Sequence, residues 1–208
     1  CFMLQRINET DFSEIYRIMQ ASFPDDEYRL YNEQLALFEE PEYRIYYVPV
    51  TGWEGSGDNS HGNSAMHAAG FLAVWEFESF TYIEHFAVDP VLRNSGTGSA
   101  MLQELVRKYQ KPICLEVELP EDELTRRRIG FYERNGFVFN EYPYIQPPIS
   151  KGKSPVPLRI MTYKSEITRE EFQKMKEILY RRVFEYHTFL HHSQTSKFKN
   201  AVPHPHRA

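Results

Sequence analysis

The stretch Phe86-Ala-Val-Asp-Pro-Val-Leu-Arg-Asn-Ser-Gly-Thr-Gly-Ser-Ala-Met-Leu102 constrains the fold of this chain more than any other. Tyr82, Ile83, Phe86, Ala87 and Val88 form an apolar strand, which Pro90 ends because proline has no ladder donor. A polar turn carrying Gly96 and Gly98 follows. From Ser99 onward Met101, Leu102, Leu105, Val106 and Tyr109 recur at helical spacing. A strand that passes through a glycine turn into a helix builds a phosphate cradle. The first N–H groups of the helix have no internal partner and carry a partial positive charge, which suits a pyrophosphate. Glycine lets the backbone approach such a ligand without a Cβ in the way. Taken alone, the same pattern also describes an ordinary strand–helix connection, so the rest of the chain decides.

Met3 to Ile7 alternates as a first strand. Asn8 to Asp11 offers helix caps, with Asp11 and Glu14 at capping-box spacing. Phe12, Ile15, Tyr16, Ile18 and Met19 give that helix its apolar face, and Phe23-Pro24 ends it. The acidic run Asp25-Asp-Glu27 reads as a solvated turn before a second helical segment near Asn32–Glu39. Strands follow at Tyr43–Val48, Ala68–Phe77 and Phe80–Val88. The Gly-, Ser-, Asn- and His-rich stretch from Gly52 to His67 reads as a loop between the first two of these.

Beyond the glycine turn, Ile113 to Leu119 is a near-continuous apolar strand of the kind covered on both faces. Cys114 within it reads as a small buried hydrophobe. Asp122 or Thr125 caps the next helix, and Gly136 supplies its left-handed end. Tyr142 to Ser154 reads as a long loop and Leu158–Thr162 as a last strand. Thr168 and Glu171 form a capping box for a final helix with core face Phe172, Met175, Leu179 and Val183. These boundaries divide the chain into a domain over 1–163, a helical extension over 164–190 and a flexible tail over 191–208.

Two blocks together point to a family. Arg93-x-x-Gly96-x-Gly98 resembles the acyl-CoA signature of the GNAT superfamily of N-acetyltransferases, Gln/Arg-x-x-Gly-x-Gly/Ala. Arg128-Ile-Gly-Phe-Tyr132-Glu-Arg-Asn-Gly136-Phe137 resembles the family's later pattern, a small residue followed by Tyr-x-x-x-Gly-Phe, with Gly130, Tyr132, Gly136 and Phe137 in those places. The resemblance runs from Tyr82 to Phe139. It implies an α/β (α+β) fold: a mixed, mostly antiparallel sheet splayed at the acyl-CoA site, with flanking helices. The final helix is extra to that minimal fold.

The same resemblance implies acetyl transfer from acetyl-CoA, as co-substrate, to a primary amine of a small molecule or peptide, by direct attack in a ternary complex. A non-catalytic acyl-CoA sensor or interaction module of the same fold is the alternative. An alkyl amine is about 0.1 % neutral at pH 7.4, a cost of about 4 kcal/mol, so the reaction needs a base, an oxyanion donor and help for the leaving thiolate. The resemblance assigns the base to Glu84. Glu116 is the runner-up, and His85 comes third because strand alternation sends it to the opposite face. It assigns protonation of the CoA sulfur to Tyr132 and the oxyanion donor to the backbone of Ala87 or Val88. The pyrophosphate falls to the N–H groups of Arg93, Asn94, Ser95, Gly96, Thr97, Gly98 and Ser99. The pantetheine amides pair with Phe86 and Val88. Thr125 stands where many members carry a cofactor-contacting Asn; it keeps a hydroxyl and loses the amide.

Composition narrows the remaining classes. With 208 residues, 41 % of them hydrophobic, the chain can bury one sizeable core plus an appendage. A net charge of −5 gives no basic field for nucleic acid, and Arg126-Arg-Arg128 reads as plain surface or a face near the CoA 3′-phosphate. Two cysteines make neither a disulfide framework nor a metal site, and no metal is expected from the irregularly spaced His61, His67, His187, His191, His192, His204 and His206. No apolar run suits a membrane span and Cys1 to Leu4 lack a signal pattern, so a cytoplasmic protein is expected. The final helix offers a surface for a homodimer. Tyr28, Tyr142 and Tyr144 are expected to border the amine acceptor.

Overall fold

The computed structural model describes residues 4–50 and 66–184. Most of the glycine- and serine-rich stretch with His61, and the tail with His187, His191, His192, His204 and His206, lie outside them. Alternating apolar segments form β1 (Gln5–Arg6), β2 (Tyr43–Pro49), β3 (Ala68–Glu76), β4 (Thr81–Val88), β5 (Ile113–Glu118), β6 (Phe137–Phe139), β7 (Tyr144–Gln146) and β8 (Val156–Tyr163). Segments of helical period form α1 (Phe12–Ser22), α2 (Tyr31–Ala36), α3 (Thr97–Lys108), α4 (Glu123–Arg134) and α5 (Arg169–Leu179), the last running on into a π-helical turn over Tyr180–Phe184.

The eight strands make one sheet in the order β1-β2-β3-β4-β5-β8-β6, with β7 also on β8. Among the described residues only the β4–β5 pair is parallel. One face packs against α1 and α5, through Phe12, Ile15, Met19, Phe172, Met175, Leu179 and Val183. The other packs against α3 and α4, through Met101, Leu102, Leu105, Val106 and Ile129. Both faces are covered, which is why β3 and β5 read as near-continuous apolar runs. Cys114 is a buried free thiol.

Three local expectations change. Asp11 does not cap α1: a 3₁₀ turn over Glu9–Asp11 puts its backbone at φ −101° and ψ 5°, away from the extended conformation a capping side chain requires. Glu14 instead binds Arg17 and accepts the Ala68 N–H. In α4 Asp122 and Thr125 act together as a reciprocal box rather than as alternatives. The expected loop over 142–154 contains β7, a short strand bounded by Pro143 and Pro147. The Thr168–Glu171 box on α5 forms as the sequence indicates.

The feature that matters most for the site is a bulge in β4. His85 faces Ala73 and Ile83 faces Val74, so Glu84 is one extra residue in the ladder. The bulge breaks the alternation expected of this strand. Glu84 and His85 turn to the same side, with His85 Nδ1 3.6 Å from Glu84 Oε2. Glu84 is buried in a bidentate pair with Arg29, Nη1–Oε2 2.6 Å and Nη2–Oε1 2.9 Å, and the Trp75 Nε1–H donates to it at 2.9 Å. Both side chains are at most 1 % exposed. Burial alone would raise the Glu84 pKa, but the Arg29 charge and these hydrogen bonds overcome it and hold the pKa near 2.

A folded-state pKa below the ordinary 4.5 means that Glu84 stabilises the fold above that value and loses its contribution as pH falls toward 2. Thermal melts of the wild type should therefore show a stability loss across that window that is absent from Glu84→Gln. At neutral pH Glu84→Gln, which strands the Arg29 charge, should cost about 3–5 kcal/mol in urea unfolding, and replacing both partners with Leu distinctly less.

Candidate active site

Pairing between β4 and β5 ends early. Thr81, Tyr82 and Ile83 face Ile113, Cys114 and Leu115, and no ladder joins the strands beyond them. A bulge bends and twists its strand, and this one lies at the first unpaired residue of β4. The gap is a cleft of about 820 Å³. Phe86, Ala87 and Val88 line it from β4, Glu116, Val117 and Glu118 from β5, the Arg93–Ser99 turn from α3, Tyr132 and Phe131 from α4, and Ser22, Phe23 and Glu27 from the end of α1 and the segment after it.

The turn at the start of α3 depends on unusual backbone. Asn94 has φ +68° and Gly96, the N-cap, has φ +80°, a conformation glycine adopts without Cβ strain. Ser95 Oγ donates to the Leu92 carbonyl and meets Thr97 Oγ1 at 2.7 Å. Ser99 Oγ accepts from Asn135 Nδ2. The first intrahelical bond is Ala100 N–H to the Gly96 carbonyl, so the N–H groups of Thr97, Gly98 and Ser99 precede the helical ladder at the cleft. Arg93 folds back: its Nε donates to the Val88 carbonyl at 3.3 Å and its Nη2 to Ser22 Oγ at 3.2 Å.

Two carboxylates in the cleft differ sharply from Glu84. Glu116 projects from β5 with the Tyr82 hydroxyl donating to its Oε1, while Oε2 is buried and without a hydrogen-bond partner. Burial pushes its pKa up to about 7; the hydroxyls of Tyr82 and Tyr144 oppose the rise, and the charges of Glu84 and Glu27 add to it. Glu27 also rises to about 7, through burial and the charge of Glu118, with Arg128 opposing. Glu118 itself pairs with Arg128 at 2.6 Å. The Tyr132 ring packs on Phe131, Phe137 and Phe86, and its hydroxyl has no hydrogen-bond partner among the described residues. Burial pushes its pKa above the ordinary phenol value, so it stays protonated at neutral pH.

The positions expected from sequence therefore separate. Phe86, Ala87, Val88, Tyr132 and the whole turn from Arg93 to Ser99 come together around one cleft. Glu84 does not line it: the bulge turns its carboxylate into the Arg29 pair, and a carboxyl held near pKa 2 is a poor base. His85, on the same side as Glu84, is buried with Nε2 2.6 Å from the Glu27 carbonyl, and burial lowers its pKa. Thr125 lines the cleft, but its hydroxyl is engaged with Asp122 as donor and acceptor, so it serves the cap. Tyr28 and Tyr144 are buried, and Tyr142 stacks on Phe172 at 4.9 Å, so none of the three borders the cleft. Sequence reasoning missed Glu27 as a cleft residue. Asp25 and Asp26 beside it are turned to Tyr28 and Ser154, and nothing in the run itself marks which carboxylate points inward.

Comparison with known proteins agrees with this geometry. Residues 61–139 match the family model described as an acetyltransferase (GNAT) domain. A solved protein from Bacteroides thetaiotaomicron, assigned to the GNAT family as an acetyltransferase, is 29 % identical with a TM-score of 0.74, covering 88 % of this chain and 98 % of that one. The fold is shared with the ribosomal-protein-S18-alanine N-acetyltransferase of Escherichia coli (19 % identity, TM-score 0.53, 81 % and 97 % covered). It is shared also with Arabidopsis thaliana NAA60, solved in complex with acetyl-CoA (15 %, 0.56, 78 % and 98 %). YjbC of Bacillus subtilis (strain 168), provisionally named an acetyltransferase, is 39 % identical over 68 residues, 32 % of this chain and 35 % of that protein. The chain thus aligns with about a third of the length of that curated relative. Signature, splayed sheet and relatives agree: residues 61–139 match a GNAT acetyltransferase domain, and the fold around them is the one these acetyltransferases share.

Proposed function

We propose that the chain transfers an acetyl group from acetyl-CoA to a primary amine by direct attack, with Glu116 as general base and Tyr132 at the leaving sulfur. The observation that carries this reading is the parting of β4 and β5. It sets a buried carboxylate with a free oxygen and a phenol with a free hydroxyl in one cleft with the phosphate-binding turn. Residues 93–99 would hold the pyrophosphate through backbone N–H groups. The edge of β4 from Phe86 to Val88, left without β5 as partner, would pair with the pantetheine amides and supply the oxyanion donor. Arg93 would exchange its contacts to Val88 and Ser22 for a phosphate. The setting is the cytoplasm, and no helix among the described residues is long and apolar enough to cross a membrane.

The chemistry follows from the environments. A carboxylate tuned to about pKa 7 is a far better proton acceptor at neutral pH than one near 2, which moves the base from Glu84 to Glu116. The amine gives its proton to Glu116 as nitrogen attacks the thioester carbonyl, and collapse of the tetrahedral intermediate expels the thiolate. Full proton transfer from a phenol to a thiolate is uphill, since the ordinary values are about 10 and about 8.5. Tyr132 would therefore act chiefly as a hydrogen-bond donor that strengthens as charge builds on sulfur.

Thiol release on an amine panel, with acetyl-CoA binding by calorimetry, tests this. Tyr132→Phe should lower turnover about ten-fold or more with the acetyl-CoA Kd little changed. For Glu116 the sign is fixed by the base role: activity should rise with pH through about 7 as the carboxyl ionises. Glu116→Gln should abolish that limb and cost about 10²- to 10⁴-fold in turnover. Wild-type activity in both variants would remove these residues from the mechanism, and tight acetyl-CoA binding without thiol release on any amine would favour the sensor reading.

A further inference from the structure

The cleft holds more negative charge than one base requires. Glu27, Glu116 and Glu118 all line it, and Glu118 is matched by Arg128. The other arginines of the lining are differently placed. Arg93 is held by Val88 and Ser22, Arg127 pairs with Glu123 on the solvent side of α4, and Arg134 stands in the last turn of that helix. Among the described residues Glu27 forms no ion pair, the nearest help being the charge of Arg128, which Glu118 already engages, and Glu116 keeps Oε2 buried without a hydrogen bond. A carboxylate that is largely buried and not paired with a cation of its own is costly, so two such groups in one cleft suit a ligand that brings positive charge.

Glu27 is also held in place. Its carbonyl oxygen lies 2.6 Å from His85 Nε2, and two residues later Arg29 is fixed by Glu84. The bulge in β4 thus grips this segment at two points. Phe23, which lines the same wall, packs edge-on against His85 with ring centroids 5.0 Å apart, adding an apolar surface next to the carboxylate. An apolar wall beside a fixed carboxylate suits an alkylammonium group, methylenes on the ring and nitrogen on the acid.

We propose that the acceptor is an alkyl diamine: one nitrogen gives its proton to Glu116 and attacks the thioester, while the second stays protonated and is bound by Glu27. This rests on the acetyl-transfer reading above. In the transfer itself Glu116 takes one proton from the ammonium, the N–C(acyl) bond forms and the C–S bond breaks; the second proton, lost from nitrogen as the tetrahedral intermediate collapses, passes to the thiolate, so that CoA leaves as thiol. The second ammonium undergoes no chemistry and serves as a handle. Burial and the Glu118 charge raise the pKa of Glu27, and an ammonium bound beside it should pull that pKa down.

The test compares diamines of increasing chain length with monoamines of matching length and with α-amino acids. Two readouts are taken: thiol release, and calorimetric binding to the protein saturated with CoA. For the best chain length, kcat/KM for the diamine should exceed that for the monoamine by ten-fold or more. In Glu27→Gln that ratio should fall toward one, chiefly through KM, and Glu27→Asp should restore part of it. Diamine binding to the CoA complex should weaken at least ten-fold in Glu27→Gln, with the melting temperature and acetyl-CoA Kd monitored to establish folding. Equal use of diamines and monoamines, or an undiminished preference in Glu27→Gln, overturns the proposal while leaving acetyl transfer standing. Diamine binding that depends on Glu27 without any thiol release supports the acceptor site and overturns the transfer reading instead.

Discussion

One extra residue in β4 underlies the arrangement of the cleft. At Glu84 the ladder to β3 skips a step, and at the same point the ladder to β5 stops. A carboxylate at such a position would ordinarily be turned to water. Here it is taken into the core because Arg29 supplies two parallel hydrogen bonds and Trp75 a third. The net worth of such a pair is small once desolvation is counted, but its geometric demand is large. It fixes where the segment after α1 crosses the strand, and with it the wall carrying Phe23 and Glu27.

That fixed frame separates three glutamates by environment. Glu84 meets a guanidinium and stays ionised well into acid. Glu116 and Glu27, enclosed with no cation of their own, hold protons to about neutral pH. Identical side chains thereby differ in charge state at neutral pH, one an ionised internal strut and two poised between their protonated and ionised forms. Across the cleft, α3 presents unpaired N–H groups at a turn whose backbone is set by Asn94 and Gly96. The two sides of the cleft thus carry opposite polarity, unpaired N–H groups on one and carboxyls on the other.

Much of this was legible from residue order. The glycine turn announced itself because glycines, the proline before them and the helical period after them are all local signals, and the α4 block did so for the same reason. The sheet and its two covered faces followed from apolar runs at β3 and β5. What escaped was non-local. Thr81 to Val88 contains neither glycine nor proline to mark a bulge, so strict alternation placed Glu84 and His85 on opposite faces. Tyr142 and Tyr144 look like binding aromatics until β7 settles on β8 and brings them against Phe172 of α5. Glu27 could not be told from Asp25 and Asp26 because the direction of each carboxylate is set by partners far along the chain, among them Ser154 and His85.

The bulge also changes less of the core than its position would lead one to expect. Tyr82 and Ala87 belong to the α1 side, and Ile83, Phe86 and Val88 to the α3 side. With Glu84 set aside, Ile83, His85 and Phe86 alternate between the two layers, and what a seven-residue β4 would leave unanswered is the buried Arg29 charge. The cleft can in this sense be read as the work of one residue beyond strict alternation, its carboxylate received in the core by a single arginine.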